Sequence, residues 1–460
     1  MEYRSTRGFG PVSFKRTLLE AVAPDGGLYV PMDYPKFAYE ELEQFSFMTY
    51  EEVAEAVLSR FMGDLVKPYE LKKIIDKAYK NWGDVEITPL QQYDSNTWMM
   101  ELYYGPSWSF KDIPLQLMAQ LLPKILDKEI TFIMSTTGDL GAAAVSAFAD
   151  VPNVRLVVLY PEHTNRVHRA QMSTSKASNI FPIAVKGTYG DCINLVRSVL
   201  DDEMLKLKKG FMPVSSWARI VAQSVYFFFA WSRMRDMAPG QNVRFAIPSG
   251  NFTNAYACYL AMQCGLPVDK IIVANNDNDI LSRWINDNDY SVKALRNTKS
   301  PCLDAQNARN VERLLFDLYA KDTQKVRESM KVLQSTSVMP PLSISQYEEL
   351  NGIFAGERIS EMEMLCALSE ADATKGLVID PHTGIAVAAA QKHAIKHGVK
   401  PTIILSTASA VKFSSVVKQA TAKEMLFDDE IDDLLKADTL EYILPNDEAE
   451  LHTFITDKLK

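Results

Sequence analysis

Along this chain, short runs of β-branched and apolar residues repeatedly end in a Gly/Ser/Thr/Asn cluster and give way at once to an alanine-rich or amphipathic stretch. Thr131–Met134 leads into Ser135-Thr136-Thr137-Gly138-Asp139-Leu140-Gly141, and Arg155–Tyr160 leads into Pro161-Glu162-His163. Phe181–Val185 runs into Lys186–Asp191, and Val243–Ile247 into Pro248-Ser249-Gly250-Asn251-Phe252. Leu377–Ile379 precedes Asp380-Pro381-His382-Thr383-Gly384, and Thr402–Leu405 precedes Ser406-Thr407-Ala408-Ser409. This is the rhythm of βα units, and it predicts a layered α/β chain. Each polar cluster then falls at the carboxyl end of a strand, the sheet edge where helix N-termini and turn amides converge on ligands.

A length of 460 residues exceeds one ordinary core and predicts two or three domains, and an apolar fraction of 47% can fill them. The first ninety residues lack the βα rhythm, are mostly helical around a break at Ala23–Gly27, and are read as an N-terminal cap domain, residues 1–90. Residues 91–235 then form a smaller α/β domain carrying Lys111, and 236–460 a larger, discontinuous one. Gln334–Glu357, with Pro340-Pro341 and little periodicity, reads as an insertion or lid, and Glu424–Lys460 as peripheral helices.

The net charge of -9, from 58 acidic against 49 basic residues, argues against a nucleic-acid surface or an anionic membrane. Any bound anion must therefore be held locally. The five cysteines show no C-x-x-C spacing, which points to reduced cytosolic thiols and to neither a disulfide framework nor a zinc site. No apolar run is long enough to span a bilayer.

The first candidate for chemistry is Lys111, in Ser109-Phe110-Lys111-Asp112 at a helix start. Partial burial there would lower its pKa and free a neutral amine for an aldehyde; the alternative is a solvated surface charge. Gly250-Asn251-Phe252-Thr253-Asn254, between strand and helix, can turn several N–H groups toward a phosphate, or is simply a tight turn. Ser135–Gly141 offers hydroxyls and amides suited to a carboxylate, and its G-x-x-G spacing fits no nucleotide-binding loop. Arg219 could pair with a phosphate or with a neighbouring acid, and His382 could carry a proton or cap a helix. Asn275–Asp279 resembles a calcium loop in composition only, so no metal is expected, and Tyr226–Phe229 reads as core.

The Gly-Pro-Ser-Trp-Ser-Phe-Lys-Asp stretch ending at Asp112, the Ser-Thr-Thr-Gly-Asp-Leu-Gly-Ala-Ala run, Pro-Ser-Gly-Asn-Phe-Thr-Asn and Leu-Ser-Thr-Ala-Ser-Ala-Val-Lys-Phe resemble, in order, the threonine synthase family. The likeness also takes in Arg4–Gly8, Ala23–Pro31, Ser216–Gln223 and Asn275–Leu281. It implies a fold-type II pyridoxal 5'-phosphate (PLP) enzyme, tryptophan synthase β-like, with two open twisted sheets flanked by helices and an N-terminal cap. The implied reaction takes O-phosphohomoserine and water to threonine and phosphate. Lys111 would hold the cofactor as a Schiff base and later move protons; Gly250, Asn251, Phe252, Thr253 and Asn254 would hold its phosphate. Asp139 would lie near the ring hydroxyl and Thr407 would face the pyridine nitrogen. Ser109, Thr136, Thr137, Gly138 and Arg219 would meet the substrate, a small phosphorylated amino acid, in a monomer or homodimer.

Some positions depart from the family pattern. Leu140 replaces a threonine, Thr253 a glycine and Ser409 a histidine, while Pro213-Val214-Ser215-Ser216 replaces Asn-Ser-Ile-Asn. Losing polar partners around a substrate changes which substrate is accepted, so a paralogue acting on another activated amino acid is the alternative enzyme. A silent PLP-binding sensor or scaffold is the alternative from another class.

Overall fold

The computed structural model describes residues 1–460 except 203, 204, 206–208, 212–215, 235, 236, 239, 426 and 460. Its contacts divide the chain into two compact units, each assembled from separated stretches. One comprises Met1–Asp76, Trp82–Tyr104 and Ser215–Met425; the other comprises Lys77–Asn81, Gly105–Val214 and Leu426–Lys460.

The larger unit is built on a six-stranded sheet in the order Phe354–Arg358, Val268–Asn275, Val243–Pro248, Thr402–Ser406, Thr97–Glu101, Leu90–Asp94. Neighbours are parallel except the last pair, which is antiparallel. The near-continuous apolar runs of Val243–Pro248 and Thr402–Ser406 are those of strands covered on both faces, and both are buried along their whole length. Helices Glu361–Lys375 and Pro381–His397 cover one face, packing Leu368, Ala386 and Ala389 with Ile272 and Ile404. Asp380 starts the second helix by accepting from the His382 and Thr383 amides. Helix Trp217–Met234 is apolar nearly all round, and almost every residue in it is buried, as such a pattern requires.

The N-terminal residues Tyr3–Ser5 pair antiparallel with Tyr29–Pro31. They are tied to helix Val311–Leu318 by Thr6 and Arg7, which donate to Glu312 at 2.6 and 2.9 Å, and by Arg313, which donates to the Tyr29 carbonyl at 2.9 Å.

The smaller unit is an all-parallel five-stranded sheet in the order Tyr442–Pro445, Ile180–Lys186, Val154–Pro161, Ile130–Ser135, Lys209–Phe211. Leu451, Ile455 and Leu459 of the final helix, Glu448–Lys458 and its end, join Ile133, Val157 and Ile183 in one buried cluster. Among the described residues, no helix is long and apolar enough to cross a membrane.

The two open sheets flanked by helices are the expected fold class, with corrections at three elements. Leu377–Ile379 is not a strand: it lies in the short link between two packed helices, joins no sheet among the described residues, and puts Ile379 into the helix-covered core. Gln334–Glu357 is not a lid, since it holds helix Ile344–Ile353 and most of the edge strand Phe354–Arg358, which pairs with Val268–Asn275. Glu424–Lys460 contains helices as expected, but also the strand Tyr442–Pro445, which completes the sheet edge beside Ile180–Lys186.

Candidate active site

In the smaller unit, Lys111 occupies the N-cap position of helix Asp112–Leu121. The turn before it is braced by Asp112, whose carboxylate accepts from the Ser107 amide at 2.8 Å. The Lys111 side chain is 11% exposed, with its amine 4.6 Å from the Phe110 ring centre and ion-paired to Asp139. The Ser109 hydroxyl donates to the same Asp139 oxygen at 3.0 Å, and His168 Nε2 lies 3.6 Å from the other. A lysine so enclosed keeps a defined position because its charge is met by a buried carboxylate. The solvated-surface alternative for this residue is thus set aside.

Asp139 is placed by the turn preceding helix Asp139–Phe148. Gly138 there has φ +135, and a Cβ on it would come within 2.6 Å of the His168 Cβ, so glycine is required twice over. The Thr136 hydroxyl oxygen accepts from the Gly138 and Gly141 amides at 3.0 and 3.1 Å. Those two N–H groups are therefore spent on the loop itself, while the Thr136 O–H keeps a proton to donate and Thr137 is exposed. Leu140 is half-buried beside them.

In the larger unit, strand Val243–Pro248 delivers Ser249, Gly250 and Asn251 to the start of helix Thr253–Gln263. Gly250 packs so closely on the neighbouring loop that a Cβ would lie 3.0 Å from the Cys302 carbonyl and 3.1 Å from the Leu303 Cα. Phe252 is left-handed, with φ +66, which folds the turn back on the helix axis. The Asn251 carboxamide accepts from the Thr253 amide at 3.1 Å and from its hydroxyl. Asn310 donates to the Asn251 carbonyl at 3.0 Å and to the Thr253 hydroxyl at 3.1 Å, and Arg313 donates to Asn310. Thr253, the departure from glycine, is thus packed into a hydrogen-bonded brace. The Asn254 side-chain oxygen accepts from the Tyr226 hydroxyl. Burial pushes that hydroxyl's pKa up, and the Arg219 charge draws it down. Helix Trp217–Met234 carries Arg219, itself buried, two turns before Tyr226.

Thr407 follows strand Thr402–Ser406, which runs parallel to Val243–Pro248 with Ile404 opposite Ala246. Continuing that register sets the buried Thr407 level with Ser249, on the edge that carries the Gly250 turn. Ser109, Lys111, Asp139, Thr136, Thr137 and Gly138 are gathered in one unit, and Arg219, Gly250–Asn254 and Thr407 in the other.

The remaining candidates take structural parts. His382 accepts the Cys302 amide on Nε2 at 3.2 Å and meets Asp380 through Nδ1 at 2.6 Å, which pins the loop packed on Gly250. Asn276 and Asn278 donate to Asp304 at 2.7 and 3.0 Å and so hold that loop from its far side. Asp277 pairs with Arg358 and Asp279 with Arg283, so the acids of the calcium-like stretch are engaged by arginines. Pro213-Val214-Ser215 lie outside the described residues. Tyr226, Asn310 and His168 were not singled out from sequence as parts of the site, and only the hydroxyl opening an aromatic run hinted at Tyr226.

The residues suit a phosphorylated aldehyde: an enclosed amine with a carboxylate beside it, and a separate strand-end turn whose glycine leaves no side chain in the way. The family description "Threonine synthase N terminus" matches residues 2–79, "Pyridoxal-phosphate dependent enzyme" matches 83–409 and "Threonine synthase, C-terminal" matches 383–455. Threonine synthase of Pseudomonas aeruginosa is 34% identical, over 99% of this chain and 98% of its own. The rat protein "Threonine synthase-like 2" is 29% identical, over 91% of this chain and 89% of its own. The crystal structure of PLP-bound threonine synthase from Brucella melitensis superposes with a TM-score of 0.95 at 32% identity, covering 100% of this chain and 99% of that one. The yeast threonine synthase structure gives a TM-score of 0.94 at 27% identity, covering 100% and 98%.

Proposed function

The chain belongs to the threonine synthase family, and from that premise we propose how its own residues carry the reaction. It is a fold-type II, PLP-dependent carbon–oxygen lyase that converts O-phosphohomoserine and water to threonine and phosphate. PLP, when bound, supplies an electron sink for negative charge developing on the amino-acid carbons.

Lys111 would hold the cofactor through its side-chain amine, and that amine would also take and return protons at the substrate carbons. Asp139 pairs with its amine, and Ser109 donates to the same carboxylate oxygen and so holds Asp139, which supports a role for both in aiming the lysine. The Gly250–Asn254 turn anchors the cofactor phosphate, with Thr253 stiffening the turn through Asn251 and Asn310. Thr407 would offer a neutral hydroxyl to the cofactor ring. The O–H groups of Thr136 and Thr137, rather than the engaged Gly138 amide, meet the substrate carboxylate, and Arg219 pairs with its phosphate. We place the protein in the cytosol, on the ground that none of the five cysteines, all of them among the described residues, is joined in a disulfide.

The observation that carries this reading is the Lys111 amine, enclosed between Phe110 and Asp139. Purified protein given O-phosphohomoserine should release inorganic phosphate and form threonine. Borohydride reduction should fix PLP to the peptide containing Lys111, and Lys111→Ala should abolish both results. Bound PLP with no phosphate release would move the assignment to the paralogue reading, which the apolar Leu140 beside Asp139 favours. A screen of other activated amino acids would then find the substrate.

A further inference from the structure

Arg219, Gln223 and Tyr226 stand four and three residues apart on helix Trp217–Met234, the spacing that stacks side chains along one face. Tyr226 anchors the far end of this stripe by donating to the Asn254 side chain, so the stripe faces the start of helix Thr253–Gln263 and its glycine turn. Arg219, itself buried, stands one helical turn before Gln223 on that face. Gln223 lies between them.

Its side chain is 0% exposed, and neither its amide nitrogen nor its oxygen has a hydrogen-bond partner among the described residues. The adjacent Ser224 shows the ordinary solution for a buried polar group on this helix, donating back to the Val221 carbonyl at 2.7 Å. A carboxamide has no such recourse, and burying both its ends unmet is costly enough that folds retain it where something else completes the bonds. An N–H donor set between a buried arginine and a helix N-terminal turn is suited to an anion with several oxygens.

We propose that Gln223 is a phosphoryl-binding residue, its amide donating to a phosphate oxygen held between Arg219 and the Gly250–Asn254 turn. The inference deepens the functional reading above and rests on it only for which phosphoryl group is held. That group is either the cofactor's phosphate or the substrate's ester phosphate, both dianionic monoesters.

Gln223→Leu keeps the volume and removes both polar ends, and Gln223→Glu keeps the shape and sets a carboxylate against the anion. Three quantities separate the cases: the PLP dissociation constant by titration of the apoprotein, inorganic phosphate binding to the holoenzyme by calorimetry, and KM for O-phosphohomoserine. If the cofactor phosphate is the ligand, both variants bind PLP at least tenfold more weakly. If the substrate phosphate is the ligand, PLP binding stays within twofold while phosphate affinity and KM both worsen at least tenfold. In either case Gln223→Glu should be the more damaged. All three quantities within twofold of wild type in both variants, with unchanged circular dichroism, overturn the proposal. A wild-type protein that fails to turn over O-phosphohomoserine would sink the functional reading, while the PLP and inorganic-phosphate measurements would still decide the part played by Gln223.

Discussion

Tyr226 opens a run whose remaining members, Phe227, Phe228 and Phe229, are plain core, yet its hydroxyl settles which end of Asn254 is left to donate. With the oxygen engaged, the N–H2 end remains for an anion. Tyr226→Phe removes one buried hydrogen bond, worth about 1 kcal/mol, and should weaken PLP binding about fivefold without unfolding the protein. Equilibrium dialysis of PLP would measure this, and an unchanged affinity would detach Asn254 from the cofactor. A second residue, Asp317, lies away from these loops. Burial raises its carboxyl to about 6, partly offset by the Tyr34 hydroxyl, which donates to it at 2.7 Å. In the unfolded chain it ionises near the ordinary 3.8, so the fold holds the proton longer and loses stability as pH rises between those values. Asp317→Asn should therefore match wild type at about pH 4 and exceed it by up to about 3 kcal/mol above the folded-state pKa. Urea melts at the two pH values test this; a gain that is equal at both would show that ionisation is not the cause.

Among the elements, those written as uninterrupted apolar runs or explicit caps were legible. Val243–Pro248 and Ile180–Lys186 needed no knowledge of their neighbours, and the Thr188/Asp191 capping box announces helix Tyr189–Asp201. Tyr442–Pro445 was not legible, because a four-residue segment with Ile443 50% exposed carries no period, and it becomes a strand only where Ile180–Lys186 presents an open edge. Leu377–Ile379 is the converse case, a strand-like triplet with no edge to join. The last helix is held by its buried leucines, so Leu451→Ala should cost about 2–5 kcal/mol by the cavity it leaves, whereas Ile443→Ala should stay within about 0.5 kcal/mol. Chemical denaturation of both variants gives the comparison, and similar losses would mean that the strand, and not the leucine contact, secures the C-terminus.

At the scale of the molecule, each unit closes its sheet with chain drawn from far apart in sequence, the smaller one taking Leu426–Lys460 to complete what Gly105–Val214 begins. Truncation after Met425 should raise hydrogen exchange throughout Ile130–Ser135, Val154–Pro161 and Ile180–Lys186 while leaving Val243–Pro248 and Val268–Asn275 protected. Equal loss in both sets of strands, followed by mass spectrometry, would show that the units do not hold their cores separately. The sequence by itself determined the α/β class and the two strand-end polar turns, because an apolar run, a Gly/Ser/Thr/Asn cluster and a helix start are local properties of a few consecutive residues. Only the tertiary structure decided that Asp139 and Ser109 hold Lys111, that Asn310 and Tyr226 set the Gly250–Asn254 turn, and that His382 fastens a loop instead of moving a proton. Those partners lie 28 to 80 residues apart, and which of them meet depends on which strand edges and helix faces adjoin once the cores have closed.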